Sequence, residues 1–159
     1  AVVVGGAVAS AAAGAGAGYV LMHMQGSPQT MQLNPQYKDV SAEVGDFFEA
    51  RLKTVAAAGL AREQVVLDVG IGFGKTARHN LELLRGLSRF KLHERPMLLG
   101  ASRKSFMGKV PGAEAGNRLP ASLACAIWAV QNGVQIIRAH DVAETVQAVR
   151  MIEAIQQCP

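Results

Sequence analysis

Four short apolar runs in this chain each stop directly on polar or reactive residues. Tyr19-Val-Leu-Met22 runs into His23 and Gln25, and Val65-Val-Leu67 is closed by Asp68. Met97-Leu-Leu99, opened by Pro96, leads to Ser102-Arg103-Lys104, and Val134-Gln-Ile-Ile137 leads to Arg138 and His140. Runs this short, with helical patterns between them, read as buried strands of a parallel sheet. Their ends recur roughly every 35–45 residues, the length of a β/α unit with its crossover helix. In parallel β/α folds the carboxyl ends of the strands share one face, and ligands bind there. The expectation is an α/β fold with one shared site. A barrel and a doubly wound open sheet both fit this alternation.

Between the strands, Val40, Val44, Phe47, Phe48, Leu52 and Val55 recur at helical spacing, and Gly59 is placed to end that helix. Leu81, Leu83, Leu84 and Leu87 mark a second helix, and a third lies around residues 123–130. Asp141 with Glu144 three residues on looks like a capping-box variant. Val142, Val146, Val149, Ile152 and Ile155 form one face of the last helix. Residues 1–18 contain only Ala, Val, Gly and Ser. They read as a buried strand over residues 1–4, a turn at Gly5-Gly6 and a poor helix. They contain no basic residue, and Ala and Gly are weak formers of a membrane span, so neither a signal peptide nor a span is expected.

The chain has 159 residues, half of them hydrophobic. That supports one domain over residues 1–159, but falls short of the about 250 residues of a complete eight-unit barrel. A net charge of +4, spread along the chain, favours small anionic ligands over nucleic acid. Cys125 reads as a buried thiol and Cys158 as an exposed one. With neither a disulfide framework nor a zinc pattern, a reducing cytoplasm is the expected location.

The loop Asp68-Val-Gly-Ile-Gly-Phe-Gly-Lys-Thr76 resembles two phosphate-binding motifs and matches neither. Val69 stands where a P-loop needs glycine, and Lys75 where a dinucleotide fingerprint needs it. Three alternate glycines still imply close approach of something to the backbone. Asp68, at a strand end, can accept two parallel hydrogen bonds from an amidine-like edge such as a 2-aminopterin offers. Gly100-Ala-Ser-Arg-Lys-Ser105 brings two cations and two hydroxyls, suited to a carbonyl or an anion, or simply to a solvated loop. Arg138 and His140 alternate, so on extended backbone both face one way and suit a phosphate or pyrophosphate. Asp141 reads as a helix cap rather than a catalytic group. His23 points away from Met22 and Met24 and reads as packed. The methionines line either a flat ring site or the core.

Together, Leu21-Met-His-Met-Gln-Gly26, the loop from Leu67 to Lys75, Gly100-Ala-Ser-Arg-Lys-Ser105 and Ile137-Arg-Ala-His-Asp141 resemble the C-terminal motifs of bacterial dihydropteroate synthases. They occur in the same order and spacing, over about residues 19–155. The resemblance implies a partial TIM-type (β/α)8 barrel, roughly units four or five to eight, incomplete at the N-terminus. It implies a transferase of folate biosynthesis that condenses 4-aminobenzoate with a dihydropterin methyl diphosphate. Such enzymes release pyrophosphate, use Mg²⁺, are sulfonamide targets and form homodimers.

By the same resemblance Asp68 would hold the amino and N3 edge of the pterin. Lys104 would reach the pterin carbonyl side and border the aminobenzoate. Met22 and Gly100 would line the pterin pocket, and Phe73 and Ser102 would bound the aminobenzoate. Arg138 would pack on the pterin and, with His140, take the pyrophosphate. Asp68, Lys104, Arg138 and His140 are the catalytic candidates, and none of the site residues is a metal ligand. The family usually has Pro where Val69 stands. The strand that should bring an Asn and an Asp to the pterin site falls near residues 2–4, which hold neither, and two N-terminal loops of the family are absent. Weak or no turnover is expected. Two other readings remain: a pterin-binding methyltransferase domain, and a non-catalytic barrel fragment acting only as an assembly unit.

Overall fold

The structure, a computed structural model, describes residues 6–110 and 117–158. The strand expected at residues 1–4, and with it the family's Asn/Asp position, lies outside the described residues. Gly6 starts a helix, not a turn. Among the described residues four parallel strands form one sheet: β1 Tyr19–Met22, β2 Val65–Asp68, β3 Met97–Leu99 and β4 Ile136–Ile137. They lie side by side in chain order. A doubly wound sheet reverses its strand order at a switch point. This one does not, and consecutive order with helical crossovers is what a barrel segment requires.

Helix α1, Gly6–Gly14, precedes β1, and α2, Val40–Ala57, follows it. α3 is Ala77–Arg85, α4 Leu119–Gln131 and α5 Val142–Gln157. Asp39 caps α2, its carboxylate accepting from the N–H groups of Ser41 (2.9 Å) and Ala42 (3.0 Å). At the other end Gly59, at φ +90°, and Leu60 return their N–H groups to Ala56 and Val55, closing the helix as expected. Among the described residues no helix is long and apolar enough to cross a membrane.

Strand register divides the sheet into two faces. Leu21, Leu67, Met97 and Leu99 are almost fully buried against the helices, with Val44, Phe48, Leu83 and Phe90. Val20 pairs with Val66, and Leu98 with Ile136, on the opposite face. There Val20 remains 47% exposed and Ile136 40%. Parallel sheets normally bury both faces, so this half-open face is the inner wall of a barrel segment.

Four sequence expectations need correcting. β4 is shorter than Val134–Ile137, because the Val134 N–H closes α4 on the Ala129 carbonyl and the Gln135 side chain accepts from Met97 N–H. Leu81 is exposed; Leu83, Leu84 and Leu87 carry the buried face. On α5 the aliphatic stripe is largely uncovered, with Val142, Val146 and Ile155 exposed and Thr145 buried. Cys125 is half-buried rather than buried.

Candidate functional site

Strand pairing sets Met22 beside Asp68, and the same edge continues through Gly100 to Arg138. Asp68 is 5% exposed. One of its carboxylate oxygens accepts from the Gly70 N–H at 2.8 Å. Burial raises its carboxyl above the ordinary range; the Gly70 bond and the charges of Arg138, Lys75 and Lys104 pull the other way. Charges converge on this carboxylate, yet burial costs more than they return.

The glycine loop turns back under the site. Gly70 and Gly74 both have left-handed φ, at 68° and 62°. A Cβ on Gly70 would stand 1.9 Å from the His23 carbonyl oxygen, and one on Gly74 2.5 Å from that of Gln25. The close approach expected from the sequence is therefore made by the chain's own segment after β1. Tyr37 Oη donates to the Gly74 carbonyl (2.8 Å), and Gln32 Nε2 to that of Gly72 (2.6 Å). Buried Asn80 accepts from Gly72 N–H and donates to the Thr76 carbonyl, each at 2.8 Å.

This bracing puts Phe73 at the front of the loop, where the Lys104 ammonium stands 4.2 Å from its ring centroid. Burial first, and the neighbouring Arg138 second, hold Lys104 below the usual lysine range. Gly100 is buried, and a Cβ there would lie 3.0 Å from Arg138 Nε and Nη2, so the guanidinium rests on bare backbone. Ser102 Oγ is 3.0 Å from His140 Nδ1 and accepts from the His140 N–H at 3.2 Å. Gly100, Ser102, Arg103, Lys104, Arg138, Ala139 and His140 line one open cavity of about 390 Å³. Arg138 and His140 do share that cavity, as their alternation predicted.

Two residues depart from expectation. Arg103, at left-handed φ 58°, turns its guanidinium onto both carboxylate oxygens of Asp141, its Nε 3.0 Å from Oδ2. Asp141 occupies the cap position of α5, but its side chain caps nothing; the pairing with Arg103 claims it, so there is no capping box with Glu144. His23 is packed, as read: it is 7% exposed and edge-on to Phe47. No local sequence pattern marks Lys75, Asn80, Gln32 and Tyr37 as members of the site. A lysine immediately after three glycines and an asparagine on a leucine-rich helix face are the nearest signals.

A parallel β/α-barrel segment whose strand ends set a buried carboxylate among converging cations is a ligand-binding barrel module. The chain matches the family model described as pterin binding enzyme over residues 4–140, and it belongs to that family. It is 48% identical over 144 residues to the dihydropteroate synthase of Escherichia coli K12, covering 91% of this chain and 51% of that protein. The chain thus spans about half the length of the curated relatives it matches. Its fold superposes on dihydropteroate synthase from Stenotrophomonas maltophilia, solved with active site-bound imidazole, at a TM-score of 0.91 and 44% identity, covering 96% of this chain and 58% of that one. The Yersinia pestis enzyme in a sulfonamide drug complex gives 0.89 and 42%, covering 95% and 55%. The fold is accordingly part of a TIM barrel.

Proposed function

We propose that the chain is the pterin- and diphosphate-holding part of a dihydropteroate synthase, the transferase that joins 4-aminobenzoate to 6-hydroxymethyl-7,8-dihydropterin diphosphate. The observation that carries this reading is Asp68: a buried carboxylate at a strand end, facing Lys75, Lys104 and Arg138. The amino and N3–H edge of a pterin, donating to that carboxylate, restores the solvation that burial removes. Met22 and Gly100 then line the ring, and Arg138 lies along it. Phe73, Ser102 and Lys104 border the aminobenzoate. Arg138 and His140 receive the diphosphate in the cationic cavity.

The chemistry asks little covalent work of the protein. The methylene C–O bond breaks, and its electron pair leaves with the diphosphate. The aminobenzoate nitrogen forms the new C–N bond to that carbon and releases its proton. Positioning and charge placement supply the rate. Mg²⁺, held by the diphosphate substrate, would supply counter-charge to the leaving group beside Arg138 and His140. Among the described residues no group of three His, Cys, Asp or Glu side chains is gathered to hold a metal, so no step is assigned to one.

The relatives carry synthase names, which gives the methyltransferase alternative no support. The reading further includes sulfonamide sensitivity, a cytoplasmic location and a homodimer. The uncovered Val142, Val146 and Ile155 stripe of α5 supports a two-fold contact through the last two helices, and light scattering tests it.

Calorimetric titration with 6-hydroxymethyl-7,8-dihydropterin diphosphate and Mg²⁺ tests the reading. The wild-type chain should bind saturably and Asp68→Asn should not. Equal binding by both, or none by a folded wild-type sample, would overturn it.

A further inference from the structure

Lys75 is 4% exposed, and among the described residues no ion pair holds it. Buried lysines are rare because taking an ammonium out of water is costly. Burial pushes this one down to about 7, with the Asp68 charge partly opposing. Among the described residues no hydrogen bond or ion pair joins it to a carboxylate, although the Asp68 charge acts on it.

The ammonium holds backbone and one ring. Nζ donates to the Phe73 carbonyl at 3.0 Å and lies 2.9 Å from His23 Nδ1, with the His23 carbonyl at 3.5 Å. Burial and the Lys75 charge push His23 down to about 3, so its ring is neutral. Below about pH 7, where Lys75 carries its proton, Nδ1 is then the acceptor and the ring proton sits on Nε2. His23 is itself fixed edge-on against Phe47 of α2, at a centroid distance of 4.9 Å. The chain of contacts therefore runs from α2 through His23 and Lys75 to the Phe73 carbonyl, directly behind the ring that faces Lys104.

We propose that Lys75 is a positioning residue: by tying the Phe73 carbonyl to the end of β1, it holds the Phe73 ring against the Lys104 ammonium and so sets the aminobenzoate-facing wall of the site. Lys75 acts from behind and touches no substrate. Removing its donors frees the Phe73 peptide, while Asn80 and Tyr37 still hold the neighbouring Gly72 and Gly74. The expected result is a local displacement of Phe73, not collapse of the loop. The substrate assignment rests on the proposed synthase reading; the contact between Phe73 and Lys104 does not.

The test begins on the ligand-free chain. In nitrogen-15 lysine NMR of the wild type, recorded about one pH unit below the Lys75 value of about 7 so that the ammonium is populated, the Lys75 ammonium protons should exchange slowly with solvent and show contacts to the His23 ring. The Lys104 side-chain protons should carry the upfield shift that the Phe73 ring imposes. Lys75→Met should keep the circular dichroism of the fold and lose most of that Lys104 shift, whereas Lys53→Met, at an exposed position, should change neither. Affinity for 6-hydroxymethyl-7,8-dihydropterin diphosphate with a sulfonamide present should fall roughly tenfold or more in Lys75→Met, the scale of effect of a misplaced contact.

An unchanged Lys104 shift in Lys75→Met overturns the proposal. So does a wild-type Lys75 ammonium that exchanges as fast as Lys53, a measurement that stands even if the variant fails to fold. Loss of the Lys104 shift in a chain that binds no pterin diphosphate supports the positioning role and sinks the proposed function instead.

Discussion

The Lys104 ammonium stands 4.2 Å from the centroid of the Phe73 ring, joining the loop after β2 to the loop after β3. A partly desolvated cation–π contact of this kind is worth about 1 kcal/mol, or roughly fivefold in affinity. Lys104→Ala removes this contact and a charge facing Asp68. It should weaken binding of the pterin diphosphate by roughly tenfold or more, measured by calorimetry. Lys109→Ala, at an exposed position, should leave it unchanged. Equal effects would mean that the cation positions are generic.

Ser102 holds His140 by both its ring and its N–H. Ser102→Ala should leave thermal stability nearly unchanged, because the pair is accessible to water. It should weaken inorganic pyrophosphate binding by about fivefold, the worth of one hydrogen bond. A variant that binds pyrophosphate as well as wild type would show that His140 needs no such hold.

Gly70 cannot tolerate a side chain. Its backbone is left-handed, and a Cβ would collide with the His23 carbonyl oxygen at 1.9 Å. Gly70→Ala should therefore cost about 3 kcal/mol or more in urea unfolding, if the chain folds at all. Gly14, ending α1, has open space where a Cβ would stand. Gly14→Ala should be neutral or stabilising by up to about 1 kcal/mol. Equal costs at the two positions would contradict the close packing of the glycine loop on the end of β1.

Burial, reinforced by Lys75, pushes His23 from 6.5 down to about 3. Between those values the unfolded chain takes up a proton that the folded chain refuses, so this histidine lowers stability as pH falls through that window. Asp68, raised by burial, works in the opposite direction just above the ordinary carboxyl range. Urea midpoints from about pH 7 down to about pH 4 should thus fall more steeply for wild type than for His23→Gln. Parallel curves would show that His23 is not held neutral by the fold.

Burial pushes the half-buried Cys125 thiol up to about 11, and Cys158 is exposed. A thiol-reactive dye at neutral pH should label one site fast and the other slowly, since only thiolate reacts. Cys158→Ser should abolish the fast phase. A fast phase that survives this change would place Cys125 in an open environment.

Much of the candidate site's placement was legible because strand-end chemistry is local. Asp68, Arg138 and His140 each follow a run of apolar residues short enough to be read only as a buried strand. Once the strands are parallel, their ends meet on one side. The face of a helix is less local. Leu81 and Leu83 sit on the same leucine-rich segment, and only the position of the sheet decides that Leu83 is covered. Asp141 is a similar case: at a helix start its default partner is the backbone, but the left-handed turn at Arg103 delivers a guanidinium that binds more strongly.

By itself the sequence determined that this is a β/α chain, where its strands end, which charged residues stand at those ends and, through the order of four motifs, which family it joins. Those properties follow from hydrophobic periodicity and from side-chain chemistry, which neighbours in the chain share. Only the tertiary structure decided that the strands run in consecutive order as a barrel wall, that the glycines yield to the segment after β1, and that Lys75 is buried behind Phe73. Each of these depends on groups brought together from distant parts of the chain. His23 and Lys75 lie 52 positions apart, and no local pattern encodes their contact.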